Sequence, residues 1–182
     1  MAAKRKEAAV VLSQECIAED IYSMWIGSEN VSSMAVPGQF IEMYTRDGSK
    51  LLPRPISLCE IDRERNAVRV VYRVTGKNTG TELFSKLTEG MEIDVMGPLG
   101  NGFPIDLAEG KKAMLIGGGI GVPPMLETAK QLKGEKVSVM GYRSEQFLKE
   151  EFEVLGNYYI ATEDGCAGRK SCLIFPAASP AD

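Results

Sequence analysis

The sequence predicts a small antiparallel β-barrel followed by a doubly wound α/β unit built on a parallel sheet. Three observations indicate this. Short strand-like segments bounded by turn residues run from about residue 7 to residue 108. After Gly110, short apolar runs alternate with helical patterns. A glycine-rich turn separates the first of those runs from the helix that follows it. We therefore expect two domains, at residues 1–108 and 109–182.

The first domain is expected to contain six strands, the number of a small barrel. In 'NAVRVVYRV', Val68, Val70 and Tyr72 lie on one face, and the residues between them lie on the other. The segment 'TGTELFSKLTEG' predicts a helix, because Thr79 and Glu82 have capping-box spacing. The predicted strands are residues 8–13, 20–27, 39–44, 55–61, 67–75 and 91–97.

The second domain is expected to alternate strands and helices. The wholly apolar run 'KKAMLIGGG' is typical of a buried parallel strand. The segment 'VPPMLETAKQLKG' predicts a helix with prolines in its first turn. A strand in 'KVSVMGY', an acidic helix in 'SEQFLKEEFEVLG' and a strand in 'YYIATEDG' follow. This alternation favours a doubly wound fold with right-handed crossovers.

The composition excludes several functional classes. The chain has 182 residues, 44% of them hydrophobic and 25% charged, as in an ordinary globular protein. A net charge of −4 argues against a general nucleic-acid partner. No apolar stretch reaches transmembrane length, and the start 'MAAKRKEAAVVLSQEC' is too short for a secretory signal. We therefore expect a cytoplasmic protein with no nucleic-acid or membrane partner.

The chain contains no histidine. This removes Ser-His-Asp and Cys-His catalysis and zinc sites that depend on histidine. Its four cysteines, Cys16, Cys59, Cys166 and Cys172, are expected to be free thiols in a reducing cytoplasm. We assign no catalytic side chain and no metal ligand, and we expect any chemistry to come from a cofactor.

Two glycine-rich turns could approach a ligand. In 'GGGIGVPPM', a turn between a strand and a helix can bring the backbone close to a pyrophosphate. Val122 stands where a third glycine of G-x-G-x-x-G would be, so a simple packing turn is an equally open interpretation. The turn 'GPLGNGF' at the end of a barrel strand is a weaker candidate for the same two roles.

The segment 'LLPRPISLCEID' places two prolines and Arg54 in a strand-like run. One interpretation is an edge strand with a solvated arginine. The other is a diphosphate site, formed by the guanidinium groups of Arg54 and Arg73 and the start of the helix capped by Thr79. In that site, the hydroxyl of Ser57 could bind a ring nitrogen. Both interpretations remain open on these residues alone.

The segments 'RPISLCEI', 'VYRVTGKNTGTELFSKL', 'GPLGNGF', 'GGGIGVPPM' and 'TEDG' resemble, in that order, the ferredoxin reductase-like flavoproteins. Within that superfamily they are similar to the electron-transfer subunits of NAD-dependent (class B) dihydroorotate dehydrogenases. The resemblance covers roughly residues 7–168. It implies that the barrel binds FAD and that the α/β domain is a nucleotide-binding domain for NAD(H).

The resemblance also implies which residues bind the cofactors. The family's Gly-Thr pair falls within 'GKNTGT', where the choice between Thr79 and Gly80-Thr81 stays open. The residues implied for FAD are Arg54, Pro55, Ile56, Ser57, Val71, Tyr72, Arg73, Gly76, Thr79, Gly80 and Thr81. Those implied for the NAD pyrophosphate turn and its surroundings are Gly117, Gly118, Gly119, Gly121, Glu163, Asp164 and Gly165.

The function implied by the resemblance is electron transfer for pyrimidine biosynthesis. NADH would deliver hydride to FAD, and an iron–sulfur (2Fe–2S) cluster would relay single electrons to an FMN-containing catalytic subunit in a heterotetramer. Two alternatives stay open. One is a subunit of a sulfide dehydrogenase or of a ferredoxin-linked NADP reductase. The other is a truncated, non-catalytic flavin-binding subunit, so whether this chain is an enzyme by itself is left undecided.

The chain departs from the family pattern near its end. The family cluster requires C-x4-C-x2-C plus a later cysteine. Here five residues separate Cys166 from Cys172, and no further cysteine follows. We therefore do not expect the 2Fe–2S cluster in this chain. Our hypothesis is that residues from about 169 onward reflect a truncation or frame disruption, which leaves the α/β domain incomplete. On that hypothesis the chain binds FAD and binds NAD weakly or not at all.

Overall fold

The computed structural model describes residues 5–143, 145–163, 165 and 169–170. Within these residues, six antiparallel strands close into a barrel in the order β1-β2-β5-β4-β3-β6. All six strands predicted from the sequence are confirmed, and β1 is longer than expected. The strands are β1 (Arg5–Ala18), β2 (Ile21–Gly27), β3 (Phe40–Tyr44), β4 (Arg54–Asp62), β5 (Ala67–Arg73) and β6 (Glu92–Leu99). Two short helices, α1 (Glu29–Met34) and α2 (Gly80–Phe84), accompany them.

Alternation along β5 separates the barrel core from the neighbouring α/β unit. Val68, Val70 and Tyr72 are fully buried in the core of the barrel. Val71 points the other way and packs in a second core with residues of the α/β unit. Burial of a large apolar side chain contributes about 1.5–3 kcal/mol. The strand therefore contributes to two cores at once, one on each of the two faces that its sequence period predicts.

A parallel sheet follows the barrel and confirms the predicted fold class. In the described part of the chain its order is β10-β9-β8-β7. Its strands are β7 (Ala113–Gly118), β8 (Lys136–Tyr142), β9 (Asn157–Thr162) and β10 (Arg169–Lys170). Helix α3 (Pro123–Gln131) connects β7 to β8, and α4 (Lys149–Glu153) lies between β8 and β9. Because β6 ends at Leu99 and β7 begins at Ala113, both ends allow the predicted domain boundary at 108/109, which stays a prediction.

Two local expectations were wrong. The run predicted as a buried strand forms β7, where Met114 and Ile116 are 62% and 45% exposed. The reason is that only the Leu115 face of β7 packs into the second core, whereas Met114 and Ile116 lie on the opposite face. The acidic helix begins only at Lys149, because Leu148 has a left-handed backbone (φ 61°) and is buried.

The barrel and the sheet share the second core. Ile21 and Cys59 of the barrel pack there with Leu126 and Ala129 of α3. The shared core holds the two units against each other along β4, β5 and α3. Among the described residues, no helix combines the length and the apolar character needed to cross a membrane.

Candidate functional site

Arg54 and Gly80 bring together a barrel strand and a helix start. Arg54 opens β4, and its Nη1 donates to the carbonyl of Leu52. Gly80 opens α2. A β-carbon on Gly80 would stand 3.0 Å from both Cζ and Nε of Arg54. The absence of a side chain at position 80 therefore lets the guanidinium lie directly against the helix start.

The turn before α2 is held by side chains on both sides of Gly80. The Thr79 hydroxyl accepts from the Glu82 N–H at 3.2 Å and donates to the Gly76 carbonyl at 2.8 Å. Thr81 is 5% exposed, and its hydroxyl accepts from the Thr75 N–H at 3.2 Å. The N–H groups of the first helical residues have no partner within a helix. The threonine side chains thus shape the turn, and the backbone at Gly80 faces Arg54.

The capping box predicted here is present in a modified form. The Glu82 carboxylate accepts from the N–H of Asn78 instead of that of Thr79. That backbone hydrogen bond, followed by the one from Lys86, lowers the pKa of Glu82. Asn78 reaches this position with a positive φ of 58°. Gly76, at φ 136°, borders open space in the same turn.

Ser57 offers a hydroxyl without a protein partner in the described part of the chain. It is half-buried on β4 and lies opposite Phe40 of β3. Ile56 packs against the barrel core, and Pro55 is exposed. Arg54 and Ser57 are three residues apart on one regular strand, so their side chains leave opposite faces of it, and a single ligand meets both only if it crosses the start of β4.

The turn 'GPLGNGF' is explained by packing. Phe40 of β3 lies opposite both Leu99 of β6 and Ser57 of β4, so the turn begins two strands away from Ser57. A β-carbon on Gly100 would be 3.0 Å from the Phe40 ring, and one on Gly102 would be 2.5 Å from Cγ2 of Val36. A side chain at either position would collide with Phe40 or Val36, so the glycines are needed for packing. This favours the interpretation of 'GPLGNGF' as a packing turn.

The three residues singled out at the end of β5 differ in accessibility. Val71 and Tyr72 are 2% and 0% exposed, whereas Arg73 is exposed. The Tyr72 hydroxyl donates to Oε1 of Gln14 at 2.7 Å, and its ring stacks on Tyr22. Burial raises the pKa of Tyr72. Val71 and Tyr72 can therefore meet a ligand only through their backbone, and Arg73 can meet one through its side chain.

Arg73 lines a cleft of about 200 Å³ between the barrel and the sheet, which we call the junction cleft. Gly119, Arg143 and Glu145 also line it. Arg73 follows the inward-pointing Tyr72, so its side chain points outward to the α/β unit. Arg54 lies against the start of α2, and Arg73 lies in the cleft between the barrel and the sheet. The convergence of both side chains on one diphosphate stays a prediction.

The glycine turn after β7 combines a packing position with open positions. A β-carbon on Gly117 would stand 2.9 Å from the Met140 sulfur and 3.0 Å from the Gly121 carbonyl oxygen. At Gly119 and Gly121, no atom lies within 4 Å of that position. Gly119 also has a φ of 52°. Gly117 is therefore needed for packing, whereas Gly119 and Gly121 border space at the start of α3. Gly118, just before them, is exposed.

The 'TEDG' segment begins at Thr162, the last residue of β9, at the same end of the sheet as the glycine turn. The N–H of Glu163 donates to the Tyr142 carbonyl at 3.1 Å, and its side chain is exposed. Gly165 has a φ of 73°. Asp164 lies outside the described residues, as do Cys166 and Cys172.

The described cysteines show no metal site. Cys16 is exposed and Cys59 buried, and both are free. Burial raises the pKa of the Cys59 thiol. Among the described residues, no three Cys, Asp or Glu side chains form a group that could hold a metal ion. The predicted lack of an iron–sulfur cluster concerns other residues and stays a prediction.

The sequence reasoning missed Arg143 and Glu145. Both follow β8 directly, in 'GYRSEQ', and both line the junction cleft. Ligands of parallel α/β sheets bind outside the carboxyl ends of the strands. Charged residues immediately after a predicted parallel strand were therefore the signal that could have identified them.

Two curated proteins that are similar to this chain in sequence carry the same name. No protein-family model matches the chain. It is 46% identical over 170 residues to the electron transfer subunit of dihydroorotate dehydrogenase B (NAD+) from Streptococcus thermophilus, covering 90% of this chain and 65% of the relative. The protein of the same name from a Geobacillus species is 44% identical over 173 residues, covering 91% and 66%. The chain thus spans slightly less than two thirds of the length of these relatives.

Solved structures share the architecture. An NADH-dependent reduced ferredoxin-NADP oxidoreductase, a flavin-based electron-bifurcating protein, matches with a TM-score of 0.79 and 32% identity. The match covers 89% of this chain and 59% of that one. The FAD/NAD-binding domain of a nitric oxide dioxygenase from Vibrio cholerae matches with a TM-score of 0.70 over 93% and 82% of the two chains. At 19% identity, that second likeness shows the fold alone.

Proposed function

Because the chain belongs to the family of the dihydroorotate dehydrogenase B electron-transfer subunits, within the ferredoxin reductase-like flavoproteins, we propose that it binds FAD on its barrel and passes electrons between NAD(H) and a catalytic dehydrogenase subunit. The curated relatives carry that role in their names, at 46% and 44% identity. The observation that carries the proposal is the guanidinium of Arg54 resting against Gly80 at the start of α2.

The residues of the barrel fit a flavin dinucleotide. Arg54 supplies a planar fork of donors that suits a diphosphate. The backbone N–H groups of Gly80 and Thr81 are the partners we assign beside it, in preference to Thr79, whose hydroxyl already caps the helix. The unpartnered hydroxyl of Ser57 would bind the ring system. Bound FAD supplies the redox chemistry, accepting a hydride and releasing single electrons.

The junction cleft is the place we propose for NAD(H), and this proposal replaces the expectation of weak or absent NAD binding, which rested only on the end of the sequence. Gly119 and Gly121 leave space at the start of α3 for a pyrophosphate. Arg73 and Arg143 bring positive charge to the same cleft, and Glu19, Asp20 and Glu145 bring negative charge to it. The work of these residues is to bind and orient the nicotinamide towards the barrel and to exclude water. No protein acid or base is needed for hydride transfer, which agrees with a chain without histidine.

The partner we propose is an FMN-containing dihydroorotate dehydrogenase subunit. The relatives named for that complex are more similar in sequence, at 46% and 44%, than the ferredoxin-NADP oxidoreductase, at 32%. A ferredoxin-linked partner is therefore the second candidate. We also propose a cytoplasmic location, which suits the free thiols of Cys16 and Cys59.

Co-purification tests the partner. The chain is expressed with the catalytic subunit of a class B dihydroorotate dehydrogenase, and the mixture is separated by size. Co-elution of flavin, catalytic subunit and this chain is the expected result. A chain that takes up FAD but elutes alone, and instead passes electrons from NADH to ferredoxin, would favour the second candidate.

A further inference from the structure

A buried charge cluster connects the barrel to the α/β unit. Nη1 of Arg69 on β5 donates to Oε1 of Glu60 on β4 at 2.6 Å, and its Nε donates to Oγ of Ser23 at 2.7 Å. The second oxygen of Glu60 accepts from Lys130 of α3. Glu151 of α4 lies 3.4 Å from the same arginine. The Glu60 and Arg69 side chains are only 12% and 9% exposed.

A second polar contact joins the same two elements. Glu127 of α3 is 6% exposed, and its Oε2 accepts from the backbone N–H of Ile61 on β4 at 2.9 Å. Its other oxygen accepts from Gln131 at 2.6 Å, one helical turn further on. The carboxylate of a helix in one unit thus binds the backbone of a barrel strand in the other.

The cluster lies on the two elements that lead to the two proposed cofactor sites. β4 begins with Arg54 and Ser57, and Glu60 follows about 10 Å further along the strand. α3 begins just after Gly119 and Gly121, and Lys130 lies about 10 Å from its first residue. The first residues of β4 and of α3 thus each border a proposed cofactor site. Further along, the two elements are joined by the contact of Glu60 with Lys130.

Apolar contacts alone cannot fix the orientation of the α/β unit relative to the barrel. Burial of Cys59, Val71 and Leu126 stabilises contact between the units but has no direction. Hydrogen bonds to charged groups have a defined geometry. Buried ion pairs contribute less to stability than their number suggests, and in some proteins they select one arrangement.

We infer that Glu60, with Lys130 and Glu127, is a positioning group that fixes the orientation of the parallel sheet against the barrel. The consequence for hydride transfer rests on the proposed function. Reacting atoms must be held about 3–3.5 Å apart, and a displacement of about 1 Å lowers a rate about 100-fold. The orientation of the two units is a property of this chain alone and can be measured without either cofactor.

Spin-label distances test the orientation. One label is placed on the exposed Cys16 of the barrel and one on Val154→Cys, a position 82% exposed in the α/β unit. Cys166 and Cys172 are replaced by serine, and the buried Cys59 is kept. The test variants are Glu60→Gln, Glu127→Gln and Lys130→Met. Lys112→Met, which removes an exposed ion pair with Glu135, is the matched control.

We expect one narrow distance in the parent and in Lys112→Met, and a shifted or broadened distribution in the three test variants. Lys130→Arg should restore the parent distribution. If Glu60→Gln fails to fold, Lys130→Met still decides, because the Lys130 side chain is 40% exposed and its loss leaves Glu60 paired with Arg69. An unchanged distribution in folded Glu127→Gln and Lys130→Met would overturn the inference.

Rapid-mixing kinetics with FAD-loaded protein and NADH test the consequence. The limiting rate of flavin reduction should fall about 10–100-fold in Lys130→Met, whereas the FAD Kd and the half-saturating NADH concentration should change less than about 2-fold. Displaced labels with an unchanged rate would overturn the positioning role. If the parent flavin is not reduced by NADH, the proposed function fails, and the label distances still decide the orientation claim.

Discussion

The guanidinium of Arg54 lies against Gly80, where a β-carbon would stand only 3.0 Å from its carbon atom. One residue begins a barrel strand, and the other begins a helix 26 positions later in the chain. The closed barrel brings the strand and the helix start together, which forms one cationic corner. The predictions for flavin binding follow from this contact.

A methyl group added at Gly80 should weaken FAD binding without lowering the stability of the fold. In Gly80→Ala, the new β-carbon displaces the Arg54 side chain, so we expect the Kd for FAD to rise about 10-fold, the effect of about 1.4 kcal/mol. The free energy of unfolding should stay equal or rise by up to about 1 kcal/mol, since alanine favours a helix more than glycine does. Flavin fluorescence titration and urea unfolding measure the two quantities. Gly48→Ala, at an open loop position, is the control, and equal FAD affinity in both variants would contradict the model.

Arg54 itself should be the main side-chain determinant of FAD affinity. Loss of a hydrogen-bonding charge costs about 1.5–3 kcal/mol, so Arg54→Met should raise the FAD Kd about 10–100-fold. Arg54→Lys keeps the charge but loses the planar fork, and we expect an intermediate value. Arg65→Met, at an exposed turn of the same barrel, should bind FAD like the parent. Similar affinities for the Arg54 and Arg65 variants would refute the assignment.

Two glycines of one turn should respond in opposite ways. Gly117→Ala forces a β-carbon against Met140 and the Gly121 carbonyl, and we expect it to lower the free energy of unfolding by about 1–3 kcal/mol. Gly121→Ala meets no atom and should leave stability unchanged, but it fills the space proposed for the NAD(H) pyrophosphate. Calorimetry with NADH should therefore detect weaker binding in Gly121→Ala. Unchanged NADH affinity there would remove the turn from the site.

Stability at low pH should depend on Asp94. Its carboxylate accepts from Nη2 of Arg46 at 2.8 Å and lies 3.0 Å from Nζ of Lys6, and these contacts, led by the one from Arg46, lower its pKa. Because the pKa of Asp94 is lower in the folded state, its ionised form stabilises the fold at pH values above the unfolded pKa of about 3.9. This contribution is lost as the pH falls through the folded pKa. We expect Asp94→Asn to cost about 0.5–1 kcal/mol at neutral pH, because Arg46 is 47% exposed.

Urea unfolding between neutral pH and about pH 3 measures this dependence, and the difference between Asp94→Asn and the parent should shrink as the pH falls. A difference independent of pH would show that the ion pairs are not its cause.

The sequence predicted the parts of the fold that depend on local pattern. Strict alternation in β5 correctly predicted that Val70 and Tyr72 lie on one face and Val71 on the other, because a strand has a period of two. That a core covers each face is a finding of the structure. The exposure of Met114 could not be predicted in this way, since a run of apolar residues does not reveal what covers it. The late start of α4 depends on the burial of Leu148, which is a tertiary effect.

The candidate site was predictable as a set of residue types and less so as a geometry. The glycine turn was identified, but the difference between Gly117 and Gly121 depends on Met140, which is distant in sequence. The pairing of Arg54 with Gly80 requires the closed barrel. The outward direction of Arg73, by contrast, follows from the alternation already recognised in β5, so the sequence contained that information.

The visible absorption spectrum of the purified chain tests the central claim most directly, when it is recorded after incubation with FAD and removal of unbound FAD, before and after anaerobic addition of NADH. We predict a bound oxidised-flavin spectrum that Arg54→Met weakens and that NADH bleaches. A protein that stays colourless after incubation with FAD would contradict the account.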